Sequence, residues 1–332
     1  MRAIGFVLCV IIGITAGIRF NIKDFTTVKE KKSELPKELI LKYETENYSQ
    51  GLYRKELFAT NLCVGNENIY ADLKIVPSLH GAASFSVTAS EILYAENLHI
   101  RLEPASITKI LTALIAIEHG DLTEIVTVRD GAFEGLHPAS STANLRYGDQ
   151  LTLLDLIYGL MLPSGNDSSI VIAEYIAGSV PAFSEMMNDR AAELGATNSY
   201  FSNPHGLSSV EHYTTIYDLY LIFNKCIQSD IFIEIISADT YTANVRDRFG
   251  NEKILTWENT NPYLLKQTGT LVEAANYMIV GKTGTTNAAG ACLILFTKDF
   301  QENEYITIVM GAESRSTRIE SMNTLLRWML LS

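Results

Sequence analysis

The sequence predicts an α+β fold, with one antiparallel sheet built from both ends of the chain, flanked by helices, and a helical subdomain inserted between its halves. Three observations carry that prediction. Strand-length runs begin near Leu79, β-branched runs return after about Thr240, and the chain between them is largely helical in pattern. At the front, Ala82-Ala-Ser-Phe-Ser-Val87 and Glu91-Ile-Leu-Tyr-Ala95 read as two short strands joined by a polar turn. Ile107 to Glu118 is apolar over most of a helical circumference, with Gly120 as its stop. A helix apolar nearly all round belongs at the centre of a domain. Residues 121–238 read as mostly helical. There Thr152-Leu-Leu-Asp155 and Thr215-Ile-Tyr-Asp218 match capping boxes, and Ala182 to Leu194 ends at Gly195. Tyr277-Met-Ile-Val280, Ala291 to Thr297 and Tyr305 to Met310 are strand-length, and Thr317 to Leu331 is a closing helix with Trp328 in its apolar stripe.

Of the 332 residues, 47% are hydrophobic and 19% charged, which suits a globular chain with a sizeable core. The net charge of −12 and the lack of a Lys/Arg stripe exclude a nucleic-acid partner, because such a surface repels phosphate backbones. Arg2 precedes an apolar run from Ile4 to Ile18, short for a membrane span but suited to an export signal or a retained anchor. We therefore divide the chain into residues 1–19 (signal peptide or membrane anchor), 20–75 (linker or N-terminal extension) and 76–332 (the main globular domain), with its helical part at about 121–238. Either reading of the first segment places the rest outside the cytoplasm. Cys63, Cys226 and Cys292 are far apart and without a C-x-x-C, so each reads as a small buried hydrophobe. No histidine spacing suggests a metal, and no cofactor motif is present.

Three short motifs carry the chemistry. Ser106-Ile-Thr-Lys109 opens the central helix, and residues three apart on a helix share one face, so the lysine amine can reach the serine hydroxyl. By itself S-x-x-K occurs about once per couple of hundred residues at ordinary usage, and Ser106 could simply cap the helix. Lys109, however, lies in an apolar run, where a charge is costly. Ser164-Gly-Asn166 also fits a turn, with Ser164 and Asp167 capping the next helix. Lys282-Thr-Gly284, followed by Thr285, ends a strand run. There Lys282 and Gly284 share a face, and the bare Gly284 lets a substrate backbone pair along the edge. No G-x-x-x-x-G precedes Lys282, so this is not a phosphate loop.

S-x-x-K, S-x-N and K-T-G in this order are the signature of penicillin-binding proteins and class A β-lactamases. The chain resembles the D-alanyl-D-alanine carboxypeptidase family in particular. Besides the triplets, Pro104-Ala-Ser-Ile-Thr-Lys-Ile, Tyr158 to Asp167, Phe201-Ser-Asn-Pro-His-Gly-Leu207, Asn259-Thr-Asn261 and Gly281 to Thr286 carry the likeness, from about residue 79 to the C-terminus. The resemblance implies a β-lactamase/DD-peptidase-like fold and a peptidoglycan stem-peptide substrate ending in D-Ala-D-Ala, with β-lactam antibiotics as inhibitors. It implies Ser106 as nucleophile, Lys109 as its base, and Ser164 as proton relay to the leaving amine. Asn166 would hold the substrate amide and Lys109. Lys282, Thr283 and Arg318 would receive the terminal carboxylate at the Gly284 edge, and the N–H groups of Ser106 and Thr285 would form an oxyanion hole. His205 reads as a turn residue. Two alternatives stand beside this reading. One is a β-lactamase, although no Glu-x-x-Leu-Asn lies between the second and third motifs; the other is a non-catalytic wall-binding or β-lactam-sensing protein.

Overall fold

The computed structural model describes residues 61–65, 67–70, 79–133, 135–137, 140–266 and 277–331; the segment 1–19 and most of 20–75 lie outside them. Strands β1 (Gly81–Ser86) and β2 (Glu91–Glu96) come from one end of the chain. From the other come β7 (Met278–Thr286), β8 (Gly290–Lys298) and β9 (Glu304–Ala312). They join in the order β2-β1-β9-β8-β7, every pair antiparallel, so both ends build one sheet and β7 is left at an edge. The hydrophobic pattern of β8, almost wholly buried, marks a strand covered on both faces. One covering layer is the closing helix, Arg315–Leu331, whose Met322, Leu325 and Leu326 pack on Ala82, Leu293, Leu295 and Val309.

Between the sheet's two halves run helices α1 (Lys109–His119), α2 (Leu153–Met161), α3 (Asn166–Ala177), α4 (Val180–Glu193), α5 (Ile216–Cys226) and α6 (Asp230–Ser237); the closing helix is α7. Helix α1 is buried from Lys109 to Ala116, as its all-round apolarity demands, and the other inserted helices gather about it. Thr152 and Asp155 form the expected reciprocal capping box, and the Thr215 hydroxyl accepts the Asp218 N–H.

The inserted region differs from the sequence reading in one respect. It holds a second antiparallel sheet of four strands, ordered β3 (Ile125–Thr127), β4 (Gln150–Thr152), β5 (Thr240–Arg246) and β6 (Glu252–Glu258). The first two are three residues long, too short to show a period. In β5 and β6 only alternate residues are buried, among them Ala243, Val245 and Trp257, with threonines and charges facing out. All three cysteines of the described region are buried and unpaired.

Candidate active site

Ser106 sits in a 3₁₀ turn, Ala105–Thr108, that runs directly into α1. The turn is entered through a non-glycine residue in left-handed backbone, Ala105, with φ of 49°. That conformation costs roughly 1 kcal/mol and persists only where neighbours hold it. They do: the Ala105 carbonyl accepts the Thr108 hydroxyl at 2.8 Å, and Gly206, at φ 84°, crosses so closely that a Cβ there would fall 1.8 Å from the same oxygen. Only glycine fits. On the other side Gly284 of β7 lies against the turn, with an added Cβ 3.0 Å from the Ser106 nitrogen. The bare Gly284 thus serves the approach of β7 to the Ser106 turn, beyond the open edge expected of it.

Lys109 is fully buried. Its Nζ lies 3.1 Å from Ser106 Oγ, 2.7 Å from Asn166 Oδ1 and 2.8 Å from the His205 carbonyl oxygen. Burial pushes its pKa well below that of a free lysine, and the Lys282 charge adds to the effect, while Asp167 opposes it. A neutral amine has two N–H donors and one lone pair. In its neutral form the amine would give its donors to the two carbonyl oxygens and keep its lone pair for the Ser106 hydroxyl. His205 therefore contributes its backbone. Its ring accepts the Leu207 N–H, and desolvation lowers its pKa to about 3, so it stays neutral in a turn.

Ser164, Asn166 and Asp167 are placed together by the entry to α3. Ser164 is in left-handed backbone, φ 63°, and the helix is capped by Gly165 without a side-chain bond. The capping alternative for Ser164 is therefore set aside: its buried Oγ has no partner among the described residues and lines the cleft. Asp167 does other work. Its buried carboxylate accepts the N–H groups of Ala143 at 2.8 Å and Leu145 at 3.1 Å, while the Asn166 N–H donates to the Ser141 carbonyl at 2.9 Å. These bonds fix residues 141–145, of which Ser141 lines the cleft. Asp167→Ala leaves both loop N–H groups buried and unsatisfied and is expected to cost about 2–4 kcal/mol. Asp167→Asn, which keeps one acceptor oxygen, should lie between them in thermal unfolding. Equal melting temperatures for all three proteins would refute this role.

Ser106, Ser164, Thr283, Gly284, Thr285 and Arg318 line one cleft of about 180 Å³. Ser141, Thr260 and Arg315 complete it, and the sequence reading had not singled them out. Thr260 falls within the family-like Asn259-Thr-Asn261, and its hydroxyl lies 3.0 Å from that of Thr283. The other two carry no motif. Lys282 is buried beside the cleft, donating to the Thr283 carbonyl at 3.2 Å; burial, then the Arg318 charge, lower its pKa to about 7. Arg318 is itself largely buried. One of its Nη atoms donates to the Cys292 carbonyl, and its Nε has no partner among the described residues. The cleft therefore brings Ser106, with the Lys109 amine behind it, together with Arg318, the β7 residues Thr283 to Thr285 and, buried beside them, Lys282. Such a layout suits acyl transfer on a short chain that ends in a carboxylate. Among the described residues no cluster of His, Cys, Asp and Glu could hold a metal ion.

The model of the D-alanyl-D-alanine carboxypeptidase family matches residues 82–314. The D-alanyl-D-alanine carboxypeptidase DacD of Escherichia coli is 33% identical over 263 residues, covering 76% of this chain and 63% of that protein. DacF of Bacillus subtilis is 32% identical over 232 residues, covering 69% of this chain and 56% of its own length. The chain thus spans less than two thirds of those relatives. Among solved structures, the Streptomyces K15 DD-transpeptidase matches with a TM-score of 0.71 at 26% identity, over 79% of this chain and all of that one. Penicillin-binding protein 5 of Haemophilus influenzae matches with a TM-score of 0.66 at 27% identity, over 79% of this chain and 73% of that one. With a family model that spans both ends of the sheet and all three motifs, this chain belongs to the D-alanyl-D-alanine carboxypeptidase family.

Proposed function

We propose that the protein is an extracytoplasmic serine D-Ala-D-Ala carboxypeptidase, acting on peptidoglycan stem peptides and acylated by β-lactams. The observation that carries this reading is the Lys109 amine, fully buried, 3.1 Å from Ser106 Oγ and with its pKa pushed well below that of a free lysine by burial. Ser106 Oγ attacks the penultimate D-alanine carbonyl as its proton passes to Lys109 Nζ. The N–H groups of Ser106 and Thr285 hold the developing oxyanion, a contribution typically worth about 10²–10³ in rate per donor. The C–N bond breaks as a proton reaches the leaving amine through Ser164, whose Oγ is free to relay it. Asn166 holds both the substrate amide and the lysine. Water then hydrolyses the acyl-enzyme by the same base. The apolar run at 4–18 supports export, and if retained it would tether the catalytic domain, residues 76–332, to the cytoplasmic membrane.

Lys282, Thr283 and Arg318 supply the carboxylate anchor, and this part is tested by blocking the charge. A diacyl-L-Lys-D-Ala-D-Ala peptide should release D-alanine, whereas its C-terminal carboxamide should be cleaved at least tens of fold more slowly, since a desolvated cation left unpaired is penalised. Equal rates on the two would refute the anchor.

The anchor also predicts a pH dependence. Lys282 with a pKa of about 7 is charged below that value and neutral above it. Substrate carboxylate therefore loses one of its cations as pH rises through about 7, and kcat/KM falls, chiefly through KM. Lys282→Arg, charged throughout, should move that alkaline limb to higher pH. A limb that stays in place assigns the titration to another group.

A further inference from the structure

Behind the Ser106 turn lies a buried histidine, His212, whose Nε2 is 2.8 Å from the Thr108 hydroxyl; that hydroxyl donates to the Ala105 carbonyl at 2.8 Å. Its other ring nitrogen, Nδ1, accepts the Ser202 N–H at 3.1 Å. Burial, then the Lys109 charge, lower the His212 pKa to about 4, so the ring is neutral. A neutral ring whose Nδ1 accepts carries its one proton on Nε2, and that N–H donates to Thr108. The single hydroxyl proton of Thr108 is committed to Ala105, which agrees with Thr108 accepting from the ring. The three bonds therefore all donate in one direction, from Ser202 through His212 and Thr108 to Ala105. Backbone pairing places the ring. Tyr213 exchanges N–H···O bonds with Tyr200 at 2.9 and 2.8 Å, and Thr214 does so with Leu102 at 2.9 and 2.7 Å. Residues 200–214 are thus stitched to the chain that enters the Ser106 turn.

A buried, doubly bonded histidine is ordinarily part of the packing. This one ends on a carbonyl that is one end of a peptide unit whose other end is the Ser106 N–H. Resonance joins the two ends, so a donor that draws electron density to the Ala105 oxygen makes the Ser106 N–H a stronger donor. Hydrogen bonds that run in one direction in a dry interior polarise one another further. Ala105 also holds this unit in left-handed backbone, φ 49°, so its orientation depends on what grips its oxygen. We infer that His212 is a positioning residue for acyl transfer: through Thr108 it grips the Ala105–Ser106 peptide, aiming and strengthening the Ser106 N–H as an oxyanion donor, a role that rests on the proposed function.

The test follows penicillin acylation and D-alanine release in the full chain. A glutamine side chain places an amide N–H near the Nε2 position, whereas asparagine reaches only as far as Nδ1. His212→Asn should therefore slow acylation by about tenfold, a weakened donor costing less than the roughly 10²–10³ of a lost one. In D-alanine release the loss should fall on kcat, with KM little changed. His212→Gln should recover most of the rate. Thr108→Val cuts the same relay one bond further on and should match His212→Asn. The double variant should be no slower than Thr108→Val alone, because both changes act through one bond. The direct readout is infrared. The carbonyl stretch of the penicilloyl ester on Ser106, isotope-edited at that carbon, should move to higher frequency in His212→Asn and Thr108→Val, where the N–H holds the ester oxygen less strongly. It is read only on acylated, hence folded, protein, so lost stability does not imitate the shift. An ester stretch or an acylation rate equal to wild type in His212→Asn overturns the inference, as does a double variant whose losses multiply; His212 is then packing alone. A wild type that penicillin never acylates removes the catalytic reading itself and this inference with it, so the two failures are told apart by the wild-type reaction.

Discussion

Ser106→Ala is expected to remove penicillin acylation altogether and to lower D-alanine release by on the order of 10⁴-fold or more. Three hydroxyls border the cleft on this side, those of Ser106, Ser141 and Ser164. Of these three, only Ser106 touches the amine of Lys109. A serine with no base is a poor nucleophile, so neither neighbour can substitute. The fold should survive the change, because the loss of one half-exposed hydroxyl leaves the packing of Gly206 and Gly284 on the turn intact. Stopped assays of D-alanine, read beside a thermal melt, check both halves. Undiminished release from a folded variant would remove Ser106 from the mechanism.

The second large effect belongs to Lys109. Lys109→Arg keeps a positive group near Ser106 but cannot supply a lone pair, because a guanidinium does not deprotonate in proteins. Acylation should fall by about 10³–10⁴-fold, in line with the loss of a general base that also orients its partner. The physical ground is the amine's setting. Burial is the largest cause of its lowered pKa and Lys282 the second, so the neutral form is favoured where a surface lysine would be charged. The expected split is specific: kcat collapses, while binding of a peptide carboxylate, which we assign to Lys282 and Arg318, changes little. A variant with normal kcat and raised KM would mean that Lys109 binds substrate and does not move protons.

How much of this was legible beforehand follows from where the signals reside. The sheet from both ends of the chain was readable because β8 and β9 are long β-branched runs, and α1 because apolarity all round a helix has one resting place. The second sheet was obscured because β3 and β4 are each too short to carry a period. Its longer hairpin turns outward residues such as Thr242 and Thr256, which resemble loop chemistry. At the site, the Ser106–Lys109 spacing is a local geometric fact that any helix start would express. The third ligand of the amine, the His205 carbonyl, is a backbone atom without a side-chain signature, although its Asn-Pro-His-Gly turn stood out. Ser164 satisfied a capping pattern that the backbone then declined, its φ of 63° leaving Gly165 at the cap. Arg315 and Ser141 enter the cleft only through tertiary packing, which no spacing along the chain encodes.

The central claim is that Ser106, with neutral Lys109, opens the D-Ala-D-Ala bond and is trapped by penicillin. Its most direct test is a single incubation of the full chain with diacyl-L-Lys-D-Ala-D-Ala, with and without penicillin. Released D-alanine is followed while intact-protein mass spectrometry and peptide mapping follow the adduct. The account predicts steady release that stops as one penicilloyl group appears on Ser106 and persists. Rapid turnover of penicillin without a lasting adduct, an adduct with no D-alanine released in its absence, or neither adduct nor release would contradict it.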